Sequence, residues 1–319
     1  MTKKTTQEQK KVTKATTAPK KEEGTSLLLP NSTITITLKK DDVNKKYSSI
    51  LASLAKKVSV PGFRKGNVPA KVAEEQLGQN QIVERVLDEL VPAAYQETME
   101  AAKKKPITHP EFSITSTEIG KDWVIKAHFA ELPEVTVKGY EKHVKAGAKN
   151  AEKALAEAKK KANENKDKDT KEVSAPTAEQ EKETKLQHIF RELVGQLKPG
   201  VPELLLKHET QHEFEHIVDQ LKQLNMTVDD YLTRRNMTMD TLSQELAVST
   251  LSRLQLDLLL GAIAKDQKLA VTDQDKDKYF ETITDLKVRE QVKKDKHYLG
   301  HLETNLLKQK VVDHLLSLA

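Results

Sequence analysis

The amino-acid sequence predicts two folded parts of different class. Residues 25–140 read as an α+β domain, an antiparallel sheet with helices and a long helical hairpin, and residues 185–319 as an elongated all-α domain. Three observations carry this reading. Apolar alternation is confined to the first part, close to pure at residues 32–38 and returning at 112–117 and 122–129. Apolar stripes at helical spacing fill most of the remainder. Between the two parts, residues 163–184 are dense in mixed charge and hold no aromatic, the signature of a linker.

Residues 1–24 are rich in Lys, Thr and Gln and read as a disordered basic tail, because they cannot bury enough surface to offset ordering. Residues 32–38, STITITL, set Ile34, Ile36 and Leu38 against Thr33, Thr35 and Thr37, giving one buried and one hydroxylated face. Asp41 and Asp42 are expected to cap a helix carrying Val43, Tyr47, Ile50, Leu51, Leu54 and Val58.

That helix runs into Pro61-Gly62-Phe63-Arg64-Lys65-Gly66-Asn67-Val68-Pro69, where glycines and prolines force a bend displaying an aromatic and two cations. Phe63 could form an exposed tip or fold back into the core, and loop composition leaves both open. A short helix over 70–77 and a long one over 80–105 follow, with a kink expected at Pro92. Two strands joined by a turn at 118–121, and a further strand over 135–138, close the domain.

Residues 146–162 are helix-prone, but their apolar content is nearly all Ala, so residues 141–184 are expected to be a weak helix and charged linker. The helical part is expected to begin at 185 and to break at Lys198-Pro199-Gly200. It then continues as helices over 202–224, 229–232, 238–268, 272–285 and 287–318.

Composition narrows the function classes. Charged residues make up 32% and aromatics 4%, favouring a highly solvated helical protein over a compact enzyme. With 53 basic against 48 acidic residues, any contact with RNA must be local. The absence of cysteine excludes disulfides, thiolate metal sites and cysteine nucleophiles, and fits a reducing cytoplasm. No run of roughly 18 apolar residues is seen, so no membrane span is expected. The 26–30 cluster is too short for a signal-peptide core, so export is not expected.

One enzyme-like pattern occurs. His208-Glu209-Thr210-Gln211-His212 matches the zinc-protease arrangement, in which histidines at i and i+4 bind metal and the Glu activates water. On a helical wheel the histidines, with His216, span about 0–80°, while Phe214, Ile217, Leu221 and Leu224 centre near 160–240°. The motif is therefore expected on a solvated face, without the walled cleft that catalysis needs. No phosphate loop, nucleophile elbow or zinc-finger spacing occurs, and no cofactor, metal site or catalytic residue is expected.

Val60-Pro61-Gly62-Phe63-Arg64-Lys65-Gly66 resembles the ribosome-docking signature of the bacterial trigger factor family, ribosome-associated chaperones. The resemblance continues through Phe129-Ala130-Glu131-Leu132-Pro133-Glu134-Val135. It resumes at Val201-Pro202-Glu203-Leu204-Leu205 and over residues 224–232, which are similar to the family's substrate-cradling arms, and again at Val311-Val312-Asp313-His314-Leu315-Leu316. Two departures stand out. Asn67 replaces the Lys that usually follows the second Gly, and the interval before the helical part is too short and ring-poor for the family's prolyl-isomerase domain.

The resemblance implies a non-enzymatic, ATP-independent chaperone in the cytoplasm. Gly62, Phe63, Arg64, Lys65 and Gly66 would bind the large ribosomal subunit at the tunnel exit, through protein alone or through protein and rRNA. The helical domain would hold nascent or unfolded polypeptides, and weak homodimerisation stays open. The alternative is an adaptor that docks on the ribosome or another partner without handling unfolded chains.

Overall fold

A computed structural model describes residues 27–61, 63–64, 68–118, 120–164 and 177–319; for 161–164 and Leu286 it describes the backbone alone. The expected tail and most of the expected linker lie outside the described residues.

Three strands form an antiparallel sheet: β2 (Ser32–Leu38), β3 (Glu111–Ser116) and β4 (Trp123–Phe129), in the order β2-β4-β3. The period-2 pattern fixes the register. Ile34, Ile36 and Leu38 stand opposite Ala127, Ile125 and Trp123. That face packs on helices α1 (Lys40–Ala55), α2 (Ala70–Leu77) and α3 (Gln79–Ala101), forming a first core with Val43, Ile50, Ile82 and Val86. The opposite face is polar, with Thr33 and Ser113 hydroxyls 3.2 and 3.0 Å from the two ring nitrogens of His128.

The cap of α1 differs from expectation. Asp41 and Asp42 lie in its first turn, where they complement the helix dipole, but no side chain of its own N-cap accepts a bond. The capping carboxylate comes from Asp122, whose Oδ1 accepts from the Lys40 N–H at 2.7 Å. This cap exists only once the sheet has formed. The strand expected over 135–138 is likewise absent. Val135 and Val137 pack into the helical core from an irregular segment, and Gly139, at φ 75°, turns the chain into the next helix.

The weak helix expected over 146–162 is instead α4 (Tyr140–Glu164), packed antiparallel on α5 (Ala178–Leu197). Tyr140, Val144, Ala148 and Ala151 are buried. Gly147 comes so close to α5 that an added Cβ would sit 2.6 Å from the Ile189 Cα. Small residues here allow close backbone approach, which a count of large apolar side chains overlooks. α5 also begins earlier than expected, on a capping box made by Thr177 and Gln180.

The chain continues through β5 (Val201–Pro202), α6 (Glu203–Gln223), α7 (Val228–Arg235), α8 (Met239–Asp266), α9 (Asp273–Thr282), α10 (Leu286–Lys294) and α11 (Lys296–Ser317). The single helix expected over 287–318 is two, divided at Asp295, whose carboxylate accepts from the N–H groups of His297 and Tyr298 at 2.9 and 3.2 Å. An apolar stripe crosses such a break unmarked.

By length and composition α8 could cross a membrane, which the sequence reading did not anticipate. Its Leu259, Leu260, Ile263 and Ala264 form a second core with Ile189 and Leu193 of α5 and Val311 and Leu315 of α11. Its Gln255 is buried and donates to the Pro199 carbonyl at 3.0 Å. These contacts make α8 the central helix of a packed bundle.

The first strand among the described residues ties the parts together. β1 (Leu28–Leu29) pairs parallel with β5, and Asn31 Oδ1 accepts from the Leu204 N–H at 2.8 Å, capping α6.

Candidate functional site

The loop between α1 and α2 is fixed at its flanks and open at its centre. Lys57 and Val58 N–H groups both donate to the Leu54 carbonyl at 2.9 Å, closing α1. Val60 and Val68 are buried in the first core and clamp the two ends of the loop. Between them the Phe63 N–H donates to the Val60 carbonyl at 3.1 Å, making a tight turn with Pro61 at its second position.

This turn leaves Phe63 42% exposed, so it does not fold back into the core. Arg64 beside it is exposed and makes no ion pair among the described residues. Of the expected site residues, Phe63 and Arg64 are thus adjacent on the surface. Gly62, Lys65 and Gly66, together with Asn67, lie outside the described residues.

The helical domain offers a second kind of surface. α6 and α8 enclose an open groove of 490 Å³ lined by Leu206, Phe214, Met239, Leu246 and the aliphatic part of Lys207. The Thr210 hydroxyl is buried beside it without a hydrogen-bond partner. Leu224, at the end of α6, and Val248, on α8, are 69% and 66% exposed. Apolar side chains held open on a charged frame can take up unfolded segments loosely. The sequence showed the helices but not which faces would stay uncovered.

The zinc-protease-like motif lies on α6. The Glu209 carboxylate accepts from Arg253 of α8 at 3.0 Å, and the same guanidinium pairs with Glu213 at 3.0 Å. Glu209 is therefore committed to crosslinking α6 and α8. His208 Nε2 lies 3.7 Å from Glu111 of β3, while the His212 side chain is 73% exposed. No cluster of three His, Asp or Glu able to hold a metal occurs among the described residues.

Three groups whose titration is shifted serve the framework. Burial, and then the Glu74 carboxylate that accepts from its hydroxyl at 2.6 Å, raise the Tyr47 phenol well above its ordinary value. Lys310 and Thr272 hold the Asp275 carboxyl far below the usual range. Lys104 and Ser32 do the same, more mildly, for Glu131. None of these groups lines the α6–α8 groove or the loop.

Comparison with known proteins adds to this geometry. A family model described as bacterial trigger factor protein matches residues 25–164, and one described as its C-terminus matches residues 161–317. The two matches overlap at 161–164, leaving no interval between them. Curated trigger factors of Staphylococcus aureus strains JH9 and Newman are each 36% identical over 107 residues, 34% of this chain. The matched stretch spans 25% of the length of those relatives. A solved structure, from work on promiscuous substrate recognition in folding and assembly activities of the trigger factor chaperone, superposes with a TM-score of 0.53 at 14% identity. The superposition covers 90% of this chain and 97% of that one, a likeness of fold.

Proposed function

This chain belongs to the bacterial trigger factor family, and on that premise we propose that it is an ATP-independent chaperone anchored on the ribosome by the loop between α1 and α2. Family and fold support a chaperone role. The observation that carries the anchoring is the outward Phe63 beside an exposed Arg64 that makes no ion pair among the described residues, on a loop whose flanks are locked into the core by Val60 and Val68.

An aromatic with an adjacent guanidinium is a common hot-spot pair. The ring supplies rigid contact area, and the cation engages acidic side chains or phosphate. The large ribosomal subunit near the tunnel exit is the proposed partner. Docking there would place the α6–α8 groove where emerging, still unfolded segments pass in the cytoplasm. Shallow apolar contacts in a charged frame would bind such segments weakly and let go as they bury their own apolar surface, without nucleotide.

Isomerase chemistry is not part of the proposal. The two family matches meet without a gap, and α4 and α5 pack closely along the stretch where the family's catalytic domain would be inserted.

Light scattering of a denatured client, diluted with and without this chain and with no nucleotide present, tests the chaperone role. Slower aggregation with Leu206→Ser and Phe214→Ser variants less effective is the expected result. Unchanged scattering would leave only a docking adaptor.

A further inference from the structure

β3 is an edge strand, hydrogen-bonded to β4 on one side only. Phe112 and Ile114 stand opposite Ala127 and Ile125 in the register and so belong to the apolar face of the sheet, yet they are 44% and 57% exposed. The helices that cover the rest of that face stop short of this edge. Long edges with exposed apolar residues are normally blunted, and an open one is a template for another strand.

Along the same edge lies an apolar groove of 790 Å³, between α3 and the entry to β3. Pro92, Tyr95, Met99, Pro106, Pro110 and Phe112 form its walls, with Tyr95 and Phe112 rings edge to face at 5.6 Å. The Tyr95 hydroxyl is shut from solvent without a hydrogen-bond partner. A second, separate depression of 570 Å³ lies between Val83 and the far end of β3.

The rim is basic. Lys103, Lys104 and Lys105 border the groove. Lys104 is neutralised by Glu131 at 2.9 Å, while Lys103 and Lys105 make no ion pair among the described residues. Glu100, also on the rim, is hydrogen-bonded to Gln96 at 3.1 Å.

We propose that this edge and groove bind one extended segment of a client polypeptide by strand addition. Its backbone pairs with β3, a large apolar side chain enters the groove against the Tyr95–Phe112 ring pair, and an acidic residue lies against Lys103 and Lys105. Main-chain bonds supply sequence tolerance, and the groove and rim supply the preference. The proposal rests on the chaperone reading and names one class of segment the chain takes.

The test uses the full chain and a blocked, fluorescent octapeptide alternating Val and Thr about a central Phe, with two Asp at the end facing the rim. A matched peptide carries Lys in place of Asp. Fluorescence anisotropy is expected to show the Asp peptide binding tighter than the Lys peptide by about fivefold, the scale of two screened surface charges. The surface variant Lys103→Glu with Lys105→Glu should reverse that order, and Ile114→Pro, which places a proline in the edge strand, should weaken both peptides. Equal binding of the two peptides, no reversal by the charge variant, or no binding at all overturns the proposal. A chain that slows client aggregation but fails these peptide measurements loses the groove and keeps the chaperone role.

Discussion

Replacing Gly147 with Ala should drive α4 away from α5. The new Cβ would lie 2.6 Å from the Ile189 Cα and 3.0 Å from the His188 carbonyl oxygen and the Ile189 nitrogen. Unstrained carbon contacts lie near 3.5–4.0 Å, so the helices must separate by about 1 Å. The obstructing atoms are main chain and cannot swing aside. Overpacking costs about 1–3 kcal/mol, here toward the upper end. Ala regains about 1 kcal/mol over Gly in helix propensity. The net expectation is a loss of about 1–2 kcal/mol.

Gly261→Ala in α8 is the control. Nothing lies within 4 Å of the Cβ it would add, so it should stabilise by about 0.5–1 kcal/mol from propensity alone. Urea unfolding followed by far-ultraviolet circular dichroism reads both changes. With an m value of about 2 kcal/mol/M, Gly147→Ala lowers the midpoint by about 0.5–1 M and Gly261→Ala raises it. Trp123, the only tryptophan, is fully buried in the first core, so its fluorescence reports that core separately. If Gly147→Ala instead stabilised like Gly261→Ala, α4 and α5 would not meet as described, and the close packing of the two helices would be refuted.

Other perturbations follow from single contacts. Tyr47→Phe removes a part-buried hydroxyl bonded to Glu74 and should cost about 1 kcal/mol, while Tyr95→Phe removes a buried one without a partner and should be neutral or stabilising by up to about 1 kcal/mol; parallel urea titrations compare them. Glu131→Gln tests the pH dependence. The folded-state pKa of Glu131 is depressed, first by Lys104 and then by Ser32, so its stabilisation is complete above the ordinary carboxylate value and lost as pH falls through the lower folded one. The difference between native and variant chains should be about 0.5–1 kcal/mol near neutrality, the scale of a partly exposed pair, and should vanish in acid.

Features set by a residue's immediate neighbours were legible in the sequence. Alternation at 32–38 gave both the strand β2 and its buried face, and the proline and glycine punctuation after α1 gave the bend that presents Phe63. What was not legible depends on partners distant in the chain. Asp122 caps α1 only across the sheet, and the exposure of Phe112 and Ile114 follows from strand order, which leaves β3 at an edge. Other misses came from signals that look alike. Small residues in α4 read as weakness but permit close packing, the 135–138 alternation buries Val137 without a ladder, and an unbroken apolar stripe hid the division at Asp295. The 208–212 histidine motif was the reverse case, a pattern with the right spacing whose Glu209 is taken by Arg253.

Cosedimentation with ribosomes tests the central proposal most directly. The full chain and its Phe63→Ala plus Arg64→Ala variant are spun through a cushion with large ribosomal subunits, with Trp123 fluorescence checking that the first core is intact. Loop anchoring predicts that the native chain pellets with the subunits and that the folded double variant stays in the supernatant. Equal pelleting of the two would contradict it.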